Sequence, residues 1–142
     1  MGENYVPPGL VEMAEPECWE LVAAAATGRI AMAHEERIWI IPVDHVLDGT
    51  AVVFRVPEGS PVDVAAGWGR PVAFQVDRVG GDLPHGETWT VLVQGELREA
   101  GQDDTHRLRA VTSQWARGDR SVIARIVAEH IGGRRVPQIH PA

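Results

Sequence analysis

The sequence predicts a mainly β protein, a β-barrel with a few peripheral helices, and three observations carry that expectation. Apolar, β-branched runs of strand length recur six times in about 100 residues, separated by turn residues. An Asp48-Gly49 pair lies between two of these runs, where it reads as a hairpin turn. Helical periodicity is confined to stretches flanking the strands, so helices are expected only at the periphery.

Taken in order, residues 1–14 are polar, contain Pro7-Pro8-Gly9 and read as a flexible N-terminal arm, with 15–142 as the single domain. Pro16 suits a first helical turn, and Cys18, Leu21, Val22 and Ala25 then form an apolar stripe at helical spacing that ends near Gly28. Strands are expected over 29–33, 38–47 and 51–56, with both central residues of the turn after 47 at positive φ. A second hairpin pairs 71–79 with 88–99 across the loop 80–86. Residues 103–115 read as a helix capped by Asp103 or Asp104, with Leu108, Val111 and Trp115 on one face. The sixth strand spans 121–127, and 131–136 closes the domain. Six such strands favour an antiparallel closed barrel, because closure removes exposed edges.

Composition narrows the chemistry. The 142 residues carry a formal charge of −7, divided as −10 over residues 1–100 and +3 over 101–142. An acidic chain lacks the basic face that phosphate neutralisation demands, so nucleic acid is not an expected partner. All 13 basic residues are arginine, which excludes Schiff-base chemistry, a P-loop and a Ser-Lys dyad. Cys18 stands alone, so an internal disulfide and a cysteine-based zinc cluster are excluded. With no long apolar run and no signal-like N-terminus, a cytoplasmic protein without a membrane span is expected. Arginine in place of lysine, with abundant Ala, Val and Gly, suggests a bacterial source.

Two segments stand out. In the stretch from Ala51 to Gly69 a strand ends near Arg55, turns through Pro57-Glu58-Gly59 and starts a short helix, with Ser60 as N-cap and Asp63 completing a Ser-x-x-Asp pattern. Such a start can bind an anion through free backbone N–H groups, with Arg55 as a bidentate partner. Equally, Arg55 is merely solvated and Ser60 merely caps. The second segment is Pro42-Val43-Asp44-His45, where proline forces an edge or a bulge and leaves backbone polar groups open to a planar heteroaromatic ring, or simply bends the barrel.

Other constellations are weaker. The six histidines form no i, i+4 or His-x-His pair, so no metal site is expected, and His45 beside Asp44 is the best acid–base candidate. None of Ser60, Ser113 and Ser121 sits in a nucleophile elbow. Five tryptophans are expected mainly in the core or a subunit interface, with Trp68 or Trp89 available to stack on a ring.

The order of segments resembles the pyridoxamine-5'-phosphate-oxidase-like family over residues 15–136. The resemblance runs through Gly28-Arg29-Ile30-Ala31, Pro42-Val43-Asp44-His45-Val46 with Asp48-Gly49, and Val53-Phe54-Arg55 ahead of Glu58-Gly59-Ser60. It continues through Val72-Ala73-Phe74-Gln75-Val76-Asp77, Trp89-Thr90-Val91-Leu92-Val93-Gln94-Gly95, Trp115, Arg125-Ile126 and Gly133-Arg134-Arg135. It implies a six-stranded antiparallel split barrel of the FMN-binding type that forms a homodimer. It also implies that Arg55 and Ser60 hold the phosphate of FMN, while backbone around Val43, Asp44 and His45 lies against the ring; Gly59, Pro42 and Trp89 join them as cofactor-binding candidates from their places in the two segments and the tryptophan set. Where family members commonly have a lysine and a threonine, this chain has Pro61 and Val56. A lost charge-assisted bond is worth roughly 1.5–3 kcal/mol, or about tenfold to a hundredfold in affinity. Arg70, Arg134 or Arg135 are the available substitutes. The implied function is a flavin-dependent oxidoreductase acting on a small organic substrate. The alternatives are a deazaflavin (F420)-dependent reductase, or a cofactor-free small-molecule-binding protein with a degenerate phosphate site.

Overall fold

Strand alternation is written directly into the burial of the computed structural model, which describes residues 8–80, 87–108, 115 and 120–137. In β5 (Pro71–Arg78), Val72, Phe74 and Val76 point inward; in β6 (Trp89–Glu99), Val91, Val93 and Leu97 do the same. The remaining strands are β1 (Val11–Met13), β2 (Thr27–His34), β3 (Arg37–Asp48), β4 (Ala51–Pro57) and β7 (Ser121–Arg135). Three helices, α1 (Glu15–Ala24), α2 (Pro61–Ala66) and α3 (Gln102–Arg107), complete the described elements.

Hydrogen bonding runs β1-β7-β4-β3-β2-β5-β6, and β6 pairs back onto β7. Six antiparallel strands therefore close into a barrel, as expected, with β1 as a seventh strand added to the end of β7. Phe54, Phe74, Ile30, Leu97 and Ile126 fill its interior. The barrel is split at β3: Arg37 to Asp44 pair with β2, whereas His45 to Asp48 pair with β4. Pro42 falls in the half paired on one edge only, which suits a residue that has no N–H to donate. α1 docks on the barrel through fully buried Cys18 and Val22.

The structure differs from the sequence reading in several places. Val11–Met13 is a strand paired with Gly133 to Arg135, so this part of the expected arm is docked; residues 1–7 lie outside the described residues. In the β3–β4 turn Asp48 pairs with Ala51, so Gly49 and Thr50 are central, and only Gly49 has positive φ (58°). The two final strands are one 15-residue strand, because a bulge between Gln94 and Gly95 lets β6 follow β7 past Glu129. A Cβ on Gly95 would collide with the Val127 carbonyl, which makes glycine necessary at that close approach. α3 starts one residue earlier than expected, with Gly101 as cap and the Asp104 carboxylate accepting from its amide at 2.9 Å. Of its expected apolar face, Leu108 is buried and Trp115 is half exposed; Val111 lies outside the described residues, as do loop positions 81–86.

Candidate functional site

β4 carries its core residues Val52, Phe54 and Val56 inward, and the pleat turns Arg55 to the other side, where it is half-buried. Its guanidinium donates to Ser121 Oγ at 3.5 Å, a long bond, and among the described residues it has no carboxylate partner. A half-buried cation with most of its donors unused is suited to an anion from outside.

The turn beyond β4 is less open than the sequence suggests. The Glu58 amide donates to Arg120 O (2.8 Å), the Ser60 amide to Pro57 O (3.1 Å) and the Gly59 amide to Asp63 Oδ2 (2.7 Å). Ser60 Oγ in turn accepts from the Asp63 amide at 3.4 Å, so Ser60 caps α2 as expected. The expectation of free backbone N–H groups at this helix start is therefore corrected for Gly59, Ser60 and Asp63, whose amides are already bonded. The Ser60 hydroxyl keeps its proton available for donation. Gly59, at φ 77°, makes the turn into the cap.

Across the split, Val43, Asp44 and His45 are all buried, a break in alternation that coincides with the change of partner strand. Asp44 accepts from Thr27 Oγ1 at 2.7 Å. His45 donates its amide to Ala26 O (3.2 Å), and its Nε2 lies 2.7 Å from Val22 O. Because that carbonyl can only accept, Nε2 carries the proton, and Nδ1 is left buried without a partner among the described residues. The ring stands edge-on to Phe74 at 4.9 Å. Burial pushes the His45 pKa below its ordinary value, against the opposing pull of the Val22 carbonyl and Asp44. Its imidazole is a core group rather than an acid–base group facing a ligand, and only the backbone of this segment remains for a ring to lie against. The last β3–β4 pair is His45 with Phe54, so the next residues on each strand are Asp44 and Arg55.

Trp89 is elsewhere. It opens β6, pairs with Arg78 and Arg135, and lines a recess of about 200 Å³ with Val79, Thr90, Arg134 and Val136. Arg55 pairs with Ile123 at the start of β7, so twelve positions, roughly 40 Å of strand, separate it from Trp89's partner. One copy of the chain does not bring the two together. Arg134 has no carboxylate partner among the described residues, whereas Arg135 pairs with Glu17 at 2.7 Å. Arg70 and Trp68 are exposed beyond α2.

Sequence reasoning missed two features. One is the Asp63 carboxylate on the Gly59 amide, although the Ser-x-x-Asp spacing signalled it. The other is an ion-pair cluster in which Arg125 bridges buried Asp104 (3.2 Å) and Asp48 (3.3 Å), with Arg107 on Asp48 at 3.1 Å. Nothing local in the sequence announces that cluster, since its members come from β3, α3 and β7. Among the described residues no group of three acidic, histidine or cysteine side chains is placed to hold a metal, and no helix is long and apolar enough to cross a membrane.

Comparison with known proteins bears on the family and the fold. Residues 14–141 match the family model described as pyridoxamine 5'-phosphate oxidase. No curated protein matches the sequence. Among solved structures, the chain is similar to an FAD-binding protein from Mycobacterium smegmatis, at 25% identity and a TM-score of 0.67, covering 89% of this chain and 97% of the other. An FAD-binding protein from Mesorhizobium loti superposes with a TM-score of 0.68 at 19% identity, over 91% and 98% of the two chains. An FAD- and haem-binding protein from M. smegmatis gives 0.65 at 13% identity, over 92% and 76%. The last two likenesses bear on the fold.

Proposed function

This chain belongs to the pyridoxamine 5'-phosphate oxidase family, and from that membership we propose that it binds a flavin nucleotide and acts as an oxidoreductase on a small organic substrate. The observation that carries the reading is Arg55, a half-buried guanidinium with one long hydrogen bond and no carboxylate partner among the described residues. With the Ser60 hydroxyl as a second donor, it fits one phosphate, the group that FMN and FAD share next to the ribityl chain. Arg55 binds and orients that phosphate, while the backbone at the β3–β4 split offers amide and carbonyl groups to the ring edge. When bound, the flavin supplies the electron or hydride transfer, and the protein supplies orientation and electrostatics. The solved relative from M. smegmatis that is named for FAD supports a flavin cofactor.

A homodimer belongs to the same proposal. Ile38 and Ile40 are 81% and 70% exposed on one side of β3, opposite the small residues Ala33 and Ala31 of β2. A second copy is the occupant that fits this apolar face, and it also offers a Trp89 that the first copy cannot bring to its own Arg55.

Thermal melts with added flavin test the reading. A ligand at about 100 times its Kd stabilises the fold by about 2.7 kcal/mol, which is readily measured. Arg55→Ala is expected to weaken FMN or FAD at least ~tenfold and leave riboflavin unchanged. Equal binding of riboflavin and the nucleotides would remove Arg55 from the site. The sealed Gly59 amide favours one second reading, a cofactor-free binding protein. A colourless protein whose melting temperature ignores FMN, FAD and deazaflavin alike would select it.

A further inference from the structure

Where β4 meets the start of β7, the register sets two donors side by side. Arg55 lies opposite Ile123 and Pro57 opposite Ser121, and alternation puts these side chains on one face of the strand pair. Arg55 and Ser121 are therefore diagonal neighbours, a separation that a long side chain spans. The contact is made: Arg55 Nη1 donates to Ser121 Oγ at 3.5 Å, and both residues are half-buried. Ser60, by contrast, accepts from the Asp63 amide and has no bond to Arg55.

Donor and acceptor capacity fixes the direction of that contact. A guanidinium only donates, so Ser121 Oγ accepts from it and keeps its own proton. Among the described residues no acceptor takes that proton, and no carboxylate bonds Arg55. The neighbours on this face, Pro57 and Ile123, have apolar side chains with no acceptor to offer. A cationic donor and a neutral one thus stand together, half-buried, with no anion of the described chain to receive them. We propose that Ser121 is a direct ligand of the flavin phosphate: its hydroxyl donates to a phosphate oxygen while the Arg55 guanidinium grips the same group. This inference rests on the flavin reading above and adds to it a contact from β7.

Titration of the full-length protein with FMN, FAD and riboflavin, followed by flavin fluorescence, tests it. Ser121→Ala is expected to weaken FMN and FAD about tenfold and to leave riboflavin unchanged. Ser121→Thr keeps the hydroxyl on a residue suited to a strand and is expected to stay within about threefold of wild type. An Arg55→Ala background separates a direct ligand from a residue that only steadies the guanidinium. There Ser121→Ala is expected to weaken FMN by about a further threefold or more, because the hydroxyl still reaches the phosphate. A second substitution without effect in that background overturns the direct contact, and so does wild-type affinity for FMN and FAD in Ser121→Ala, while the flavin reading stands. Should the melting curve of Ser121→Ala show loss of the fold, Ser121→Cys, close in shape and a weak donor, takes its place with the same expectations. Failure of all three flavins to bind wild type overturns both.

Discussion

His45 bonds the last turn of α1 with its ring, at Val22 O, and the chain just past that helix with its amide, at Ala26 O. The ring is held neutral, with its pKa below the ordinary 6.5 because burial dominates. Below about pH 6.5 the unfolded chain therefore takes up a proton that the folded chain refuses. This contribution to stability is complete above that pH and is lost as the pH falls through the window beneath it. Urea unfolding of wild type is expected to weaken between about pH 7 and pH 5, and His45→Gln to unfold about 1–3 kcal/mol more easily at pH 7 with a flatter pH profile. A variant with the wild-type slope would assign the pH dependence to other groups. The inward turn of this ring was not legible in the sequence, because Val43, Asp44 and His45 are buried in succession and alternation offers no rule for such a stretch. Ser60 and Asp63 were legible as a capping pair because capping follows from local spacing.

Strands 29–33, 38–47 and 51–56 were legible because alternation and β-branching act locally, and β2, β3 and β4 contain them. The turn joining β2 to β3 was not. His34 pairs with Arg37, leaving Glu35 and Glu36 at φ 52° and 63°, the twist of a two-residue type I′ hairpin without the glycine or asparagine that usually reports it. Register along the two strands imposes this turn on residues that resist it, at roughly 1–2 kcal/mol per left-handed residue. The His34–Glu35 contact of 3.7 Å sets a half-buried histidine against a solvent-exposed carboxylate and offsets little of this cost. Replacing the pair, Glu35→Asn with Glu36→Gly, is expected to stabilise the protein by about 1–2 kcal/mol in thermal melts. An unchanged or lower melting temperature would mean that the glutamates make compensating interactions. The continuity of β7 was hidden for a different reason: the bulge that permits it lies opposite, at Gln94 and Gly95, and only the pairing reveals it.

At the scale of the whole molecule, the class of fold was legible while the distribution of the site was not. Closure requires only that strands of the right length alternate and that their turns permit antiparallel neighbours. The placement of Arg55 and Trp89 at opposite ends of β7 depends on three-dimensional pairing that no segment announces by itself. If two copies complete one site, sedimentation should show wild type as a dimer, and Ile40→Asp should produce a folded monomer with weakened flavin binding. A wild-type monomer that binds flavin tightly would remove the second copy from the proposal.

β7 bonds β1 and β4 along one edge and β6 along the other, so the ring of strands has no closure without it. During synthesis, β4 and β6 must therefore wait with open edges until the ribosome has released residues 121–135. Ala51 meets its partner Val127 only after most of the chain has been made, which gives the nascent protein a long interval in which another polypeptide can add itself to those edges.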